Sequence, residues 1–333
     1  MFVLNANEPT ELAAYLQSQN WIEPTESIVS ISKPGEGNMN CVLRVKTATR
    51  SFIVKQSRGY VEKYPQVAAP AERAITEGAF YEKVATVAVI QRIMPKILGL
   101  DPRSNVIALE DLGESSDYTS LYQLDQKLEA AELTQLVTYL NGLHQSFQKT
   151  FIDDELENKE MRTLNYEHIF EYPFRIENGF DLDVIQPGLQ ALALTYKKDE
   201  QLKHKIGTLG SLYLSKGKYL LHGDYYPGSW LKTGDGIKVI DPEFCFYGLR
   251  EFDLAVMLAH LYITQQEEGV IAFVKENYSQ FSELNSTILN GLIGTEIMRR
   301  LIGLAQLPLQ MDIEMKADLL RFAKTLILEQ DEK

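Results

Sequence analysis

The sequence predicts an α+β protein of two lobes, a small β-rich lobe over residues 1–110 and a larger helical lobe over 111–333. Three observations predict this. Strand-like apolar runs crowd the first hundred residues, helical periodicity takes over from about Tyr118, and one hairpin pattern interrupts the helices between Leu220 and Phe244. A length of 333 residues also favours two cores over one.

In chain order, residues 11–18 carry helical spacing, and Ile28–Ser32, Cys41–Thr47 and Ser51–Gln56 read as strands. Gly35-Glu36-Gly37-Asn38 makes a tight turn between the first two strands. A helix is expected over 71–84, and strand character returns at 96–100 and 106–109. Glu110-Asp111-Leu112 then crosses between the lobes, and the cleft there is where a ligand would sit. In the second lobe Leu133, Leu136, Val137, Leu140, Leu143 and Phe147 form an apolar stripe of helical period. Further helices are expected over 189–205, 254–263, 286–304 and Ile313–Leu328.

Composition narrows the partners. With 45% apolar and 24% charged residues the chain is an ordinary globular one. A net charge of −13 argues against nucleic acid, which needs clustered Lys and Arg, and fits a small neutral or cationic substrate. Cys41 and Cys245 are the only cysteines and lie far apart, which suits the reducing cytoplasm. The opening MFVLNANEPTEL has neither the basic nor the long apolar stretch of a signal peptide, so none is expected. The longest apolar run, 254–263, is too short to span a bilayer, and no membrane partner is expected. Monomer and homodimer both remain open.

The chemistry concentrates in one segment. His222-Gly223-Asp224 is followed, seventeen residues after Asp224, by Asp241-Pro242-Glu243. Between them Thr233-Gly234-Asp235-Gly236 reads as the turn of a β-hairpin. A hairpin centred on Asp235 places Ser229 opposite Asp241, and strand alternation puts Asp241 and Glu243 on one face. Ser229, Asp241 and Glu243 are therefore candidate oxygen ligands for Mg²⁺, and Asp224 is a candidate base for a substrate hydroxyl attacking the γ-phosphate of ATP. The alternative is that both aspartates only cap turns. Lys55 ends the run Phe52-Ile53-Val54, the setting of a phosphate-gripping lysine, or else of an ordinary strand-end lysine. Glu77, on the helix expected over 71–84, is placed either to orient Lys55 or to face solvent.

Gly35, Gly37, Asn38 and Asn40 belong to a loop whose amides would approach nucleotide phosphates, although a glycine pair in a hairpin is usually only a turn. Glu110 and Leu112 would offer backbone groups to the adenine edge. His222 reads as structural, and Asp253 as the N-cap of the helix over 254–263 or as an anchor for the catalytic loop. Arg299-Arg300 is either solvated surface or a binder of phosphate charge or substrate hydroxyls.

Together Lys55, Glu77, Glu110-Asp111-Leu112, HGDYYPGS and IDPEF resemble the aminoglycoside phosphotransferase/choline kinase superfamily, whose fold is protein-kinase-like. Within it the chain is most similar to the methylthioribose kinase family. That similarity rests on the Gly-x-Gly-Asn-x-Asn loop, on Ser229 at a metal-binding position, on the run from Asp241 to Gly248, and on the arginine pair before Gly303. The resemblance covers roughly residues 28–306. It implies that Lys55 contacts phosphates and pairs with Glu77, that Asp224 is the base, that Asp241 and Glu243 hold Mg²⁺, and that Arg299 and Arg300 line a sugar pocket. Tyr226 stands where the superfamily usually has His, and Tyr64-Pro65 replaces a Trp-Pro loop. Tyr225, Tyr226 and Trp230 beside the base would favour a cationic or apolar acceptor through cation–π contact. The expected activity is phosphorylation of a small metabolite with a free hydroxyl, methylthioribose or a related sugar. Its rivals are an aminoglycoside- or choline-type kinase and a silent nucleotide-binding relative. Asp-Pro-Glu in place of Asp-Phe-Gly argues against a protein kinase, and scattered histidines argue against a metallophosphatase.

Overall fold

The structure, a computed structural model, describes residues 1–35, 39–279 and 284–329. These form two compact units: Met1–Ser116 with Lys232–Cys245, and Asp117–Leu231 with Phe246–Lys333. The first unit is therefore built from two separate stretches of chain.

In the first unit α1 (Pro9–Ser18) precedes β1 (Ile28–Ser32), β2 (Cys41–Thr47) and β3 (Ser51–Gln56). A short hairpin of β4 (Tyr60–Val61) and β5 (Tyr64–Ala68), then α2 (Arg73–Val84) and α3 (Ala88–Gln91), lead to β6 (Ile97–Asp101) and β7 (Val106–Glu110). The main sheet has the order β1-β2-β3-β7-β6, and its neighbours run antiparallel. Central β3 alternates: Phe52 and Val54 join Leu12, Leu16, Leu43 and Val45 in a core beneath α1. Its other face carries Ile53 and Lys55, and Lys55 pairs in register with Val42 and Ile107. A lysine on the central strand of a sheet is thereby buried, at 3% exposure.

The chain re-enters this unit within the strand Trp230–Thr233 and turns back into Gly236–Val239. The expected turn is present. Thr233 Oγ1 donates to the Gly236 carbonyl at 2.7 Å and accepts from the Asp235 amide at 3.2 Å. Val239 N donates to Ile93 O at 2.7 Å, which ties the returning segment to the body of the unit.

The second unit is helical: α4 (Ala130–Ser146), α5 (Lys159–Tyr166), α6 (Leu189–Lys197), α7 (Glu200–Leu214), α8 (Glu251–Ile263), α9 (Glu268–Ser279), α10 (Ser286–Ile302) and α11 (Ile313–Leu328). The α4 stripe of Leu133, Leu136, Val137, Leu140 and Leu143 is buried as its spacing requires. Helix α8 is mostly apolar and is buried at every residue but Tyr262, with Glu251, Asp253 and His260 as its buried polar positions. Helix α10 packs on α11 so closely that a Cβ at Gly294 would lie 2.4 Å from Ala323 O.

Three sequence expectations change. The helix expected over 189–205 is two helices, because Asp199 caps a new one by accepting from Leu202 N. Helix α8 starts at Glu251, so Asp253 lies inside it and is not its N-cap. The second hairpin strand stops at Val239, Asp241 adopts a left-handed backbone (φ 61°, ψ 51°), and Pro242–Phe244 is a 3₁₀ turn. Proline at 242 has no N–H for a ladder, so strand alternation does not relate Asp241 to Glu243. Ser229 likewise ends the 3₁₀ turn Pro227–Ser229 and does not sit in the strand.

Candidate active site

In the first unit the charged groups gather beneath the sheet. Lys55 Nζ lies 2.7 Å from Asp241 Oδ1 and 2.8 Å from Glu77 Oε2. Glu77 and Arg73 are one helical turn apart on α2 and point the same way. Arg73 is as buried as Glu77: its Nε donates to Glu243 Oε2 at 3.0 Å, and its Nη groups donate to the carbonyls of Met39, Arg58 and Pro70 and to Asn40 Oδ1. Asn40 Nδ2 closes a ring by donating to the same Glu243 oxygen at 3.0 Å. Asn40 and Glu243 thus engage Arg73 and each other.

Three carboxylates face two cations in this cluster. Burial alone would lower the Lys55 ammonium, but Asp241, Glu77 and Glu243 override it and hold it well above the usual lysine range. Burial pushes the Glu77 carboxyl up to about 8, with Asp241 and Glu243 adding to the rise and Lys55 opposing it. Asp241 is the member of the cluster that faces outward, because its side chain is 48% exposed while its neighbours are enclosed. Among the described residues no group of three or more His, Cys, Asp or Glu forms a ready metal cage. Magnesium rarely needs one, since one or two carboxylates suffice when phosphate oxygens and waters complete the octahedron. An exposed Asp241 carboxylate fits that requirement.

The segment after β7 is held by Arg44, whose Nη2 donates to Asp111 Oδ1 at 2.9 Å and to Gly113 O at 2.8 Å. Glu110 is paired with Lys96 through its amide (2.8 Å) and its carboxylate (3.1 Å). Gly35 is open to its surroundings, while Gly37 and Asn38 lie outside the described residues.

In the second unit Asp224 sits in a turn fixed from behind. Asp253 accepts from the amides of His222 (2.7 Å) and Gly223 (2.9 Å), and Gly223 takes the φ of +85° that lets the chain bend there. His144 on α4 lies 3.2 Å from Asp253 and extends the anchor. Of the two roles open to Asp253, this is the anchor. Ser229 Oγ donates to Asp224 O at 2.8 Å, closing the turn from the other side. His222 is fully buried, which is its expected structural role.

Arg299 and Arg300 are also buried, at 8% and 6% exposure, and are not solvated surface. Glu296, three and four residues earlier on α10, accepts from Arg300 Nε at 2.6 Å and from Arg299 Nη1 at 3.1 and 3.0 Å. Burial would raise the Glu296 carboxyl, but the two guanidiniums hold it well below the usual carboxylate range. Arg300 Nη2 reaches to 3.6 Å from Asp224 Oδ1, and its guanidinium lies 4.8 Å from the Tyr226 ring centroid. Behind Glu296, His260 Nε2 lies 3.4 Å from Oε1 and Nδ1 lies 2.7 Å from the Tyr122 hydroxyl. Burial lowers the His260 imidazole to about 4, so it is neutral near pH 7, with Nε2–H toward Glu296 and Tyr122 donating to Nδ1.

The sequence profile described as the phosphotransferase enzyme family matches residues 30–283. The chain belongs to this family. It is a small-molecule kinase with a kinase-like fold, a β-sheet first region followed by a helical one. A methylthioribose kinase of Exiguobacterium sibiricum is 27% identical, with 87% of this chain and 83% of that protein covered. A methylthioribose kinase of a Geobacillus species is 26% identical over 89% of this chain and 85% of the other. Among solved structures, choline kinase LicA from Streptococcus pneumoniae superposes with a TM-score of 0.55 at 13% identity, covering 96% of this chain and 99% of that one. Spectinomycin phosphotransferase APH(9)-Ia, solved with ADP and spectinomycin, gives 0.52 at 14% identity, covering 96% and 97%. No helix among the described residues of this phosphotransferase is long and apolar enough to cross a membrane.

Sequence reasoning missed Arg73, Arg44, His260 and Glu296. Arg73 had a usable signal, since it stands one turn before Glu77 on the same expected helix. Glu296 had one too, at i−3 and i−4 from the arginine pair. Nothing in the local sequence announces that His260, within an apolar run, meets Tyr122.

Proposed function

We propose that the chain uses ATP and Mg²⁺ to phosphorylate a hydroxyl of an uncharged sugar of the methylthioribose type. Asp224 would take the hydroxyl proton, Asp241 would hold the metal on the phosphates, and Lys55, oriented by Glu77, would grip them. Bound Mg²⁺ would neutralise charge on the triphosphate.

The observation that carries the substrate class is the Arg300 guanidinium, placed over Tyr226 and 3.6 Å from Asp224. A cationic acceptor such as an amino alcohol or aminoglycoside would meet a fixed positive charge beside the base. It would also find the Tyr226 ring in use, while Tyr225 and Trp230 are wholly buried and out of reach. A cation–π cage for the substrate therefore has no support, in contrast to the expectation from the aromatic-rich segment. Arg300 Nη2 is buried with no hydrogen-bond acceptor among the described residues, and a sugar oxygen would supply one. The names of the curated relatives point the same way.

The test is ADP release with methylthioribose, ribose, choline and an aminoglycoside offered separately. Turnover with the neutral sugars is expected. Turnover only with choline or the aminoglycoside would overturn the substrate class, and nucleotide binding without turnover on any acceptor would overturn the enzyme reading.

A further inference from the structure

We propose that Glu296 is the positioning residue that sets the charge preference for the acceptor, by holding both arginines and cancelling one of their two charges next to Asp224. The inference rests on the kinase reading above and goes beyond it, because Glu296 itself is not placed to touch the reacting atoms. Its carboxylate is 2% exposed and collects Arg299, Arg300 and His260 around one pair of oxygens. Arg300 alone continues from there to Asp224 and Tyr226. The donor to Glu296 on the α8 side is a neutral imidazole, backed by the Tyr122 hydroxyl, and adds no charge. Of the two guanidinium charges Glu296 thus cancels one, which leaves the single charge of Arg300 beside Asp224 to turn away a cationic acceptor without drawing in an anionic one.

Removing the charge of Glu296 has two consequences that a merely structural residue would not share. One guanidinium becomes uncompensated, so a sugar carrying a carboxylate gains relative to a neutral sugar. Arg300 also loses its anchor and is drawn toward Asp224, which engages the base and slows the neutral reaction.

The experiment compares kcat/KM for methylthioribose and for ribonate in the wild type, Glu296→Gln, Arg299→Gln and the double variant. Glu296→Gln is expected to lower kcat/KM for methylthioribose at least tenfold and raise the ribonate-to-methylthioribose ratio at least tenfold, with KM for ATP within twofold of wild type. The double variant restores the charge count and should bring the ratio back toward wild type. Should Glu296→Gln fail to fold, Arg299→Gln still decides the matter, since it must lower the ratio and admit choline better than the wild type does. An unchanged ratio in Glu296→Gln, a double variant without rescue, or an unchanged ratio in Arg299→Gln each overturns the proposal. A wild type inactive on every sugar takes down the kinase reading and this inference with it, whereas an active wild type with charge-blind variants sinks the inference alone.

Discussion

Acidifying the solution should destabilise the second unit through His260. The ring is fully enclosed between Tyr122, the Tyr226 ring and Glu296, and burial lowers it to about 4 from an ordinary value of 6.5. A histidine with a depressed folded pKa keeps its full contribution above the unfolded value and loses it as pH falls, because the unfolded chain binds the proton first. At pH 7.5 both states are neutral. At pH 5 the unfolded ring is almost wholly protonated and the folded ring is not, which costs about 2 kcal/mol of stability. Protonation inside the fold would gain from Glu296 but set a new charge beside Arg299 and Arg300, so the folded state does not follow the solvent. Urea unfolding at the two pH values, in the wild type and in His260→Gln, isolates this term from the general titration of carboxylates. Glutamine can still accept from Tyr122 and donate to Glu296. The variant's stability should fall less between pH 7.5 and pH 5, by about 2 kcal/mol. Equal pH dependence in the two proteins would refute the reasoning and mean that the ring is solvated or already charged.

Asp224→Asn should lower kcat by about 10²–10⁴-fold while nucleotide affinity, read by calorimetry, stays near wild type. Lys55→Met removes the cation that Asp241 and Glu77 share; urea unfolding should show a loss that reaches about 3–5 kcal/mol once Glu77 is ionised. That loss should grow above pH 8, because the raised Glu77 carboxyl must then ionise without its lysine. Gly294→Ala puts a methyl group against the Ala323 carbonyl and the Ile327 side chain, and forcing α10 from α11 should cost about 1–3 kcal/mol in the same assay.

Much of the architecture was legible because its signals are local. The strands Ile28–Ser32, Cys41–Thr47 and Ser51–Gln56 carry their own apolar runs, and Ile313–Leu328 carries its own period. The short hairpin 60–68, α5 and α9 escaped notice, being brief or weakly patterned. At the candidate site the strand end at Lys55 and the helix carrying Glu77 left the pairing as one of two readings, and the family resemblance supplied the choice. The path from Asp241 to Glu243 was misread, because proline replaces the strand by a tight turn and alternation no longer applies. Arg73 with Asn40 and Glu243, and His260 with Tyr122 and Glu296, join residues 33 to 203 positions apart. Only three-dimensional packing brings such groups together.

The returning stretch Lys232–Cys245 also bears on how the protein is made. When the ribosome has released the chain as far as Ser116, the sheet of the first unit is present, yet Lys55 has only Glu77 and Arg73 lacks its carboxylate. Both cations must wait while the whole of Asp117–Leu231 is translated before their acidic partners emerge. An N-terminal fragment ending there lacks Asp241 and Glu243, so the charged cluster of the first unit is complete only after the second unit's first stretch has been made.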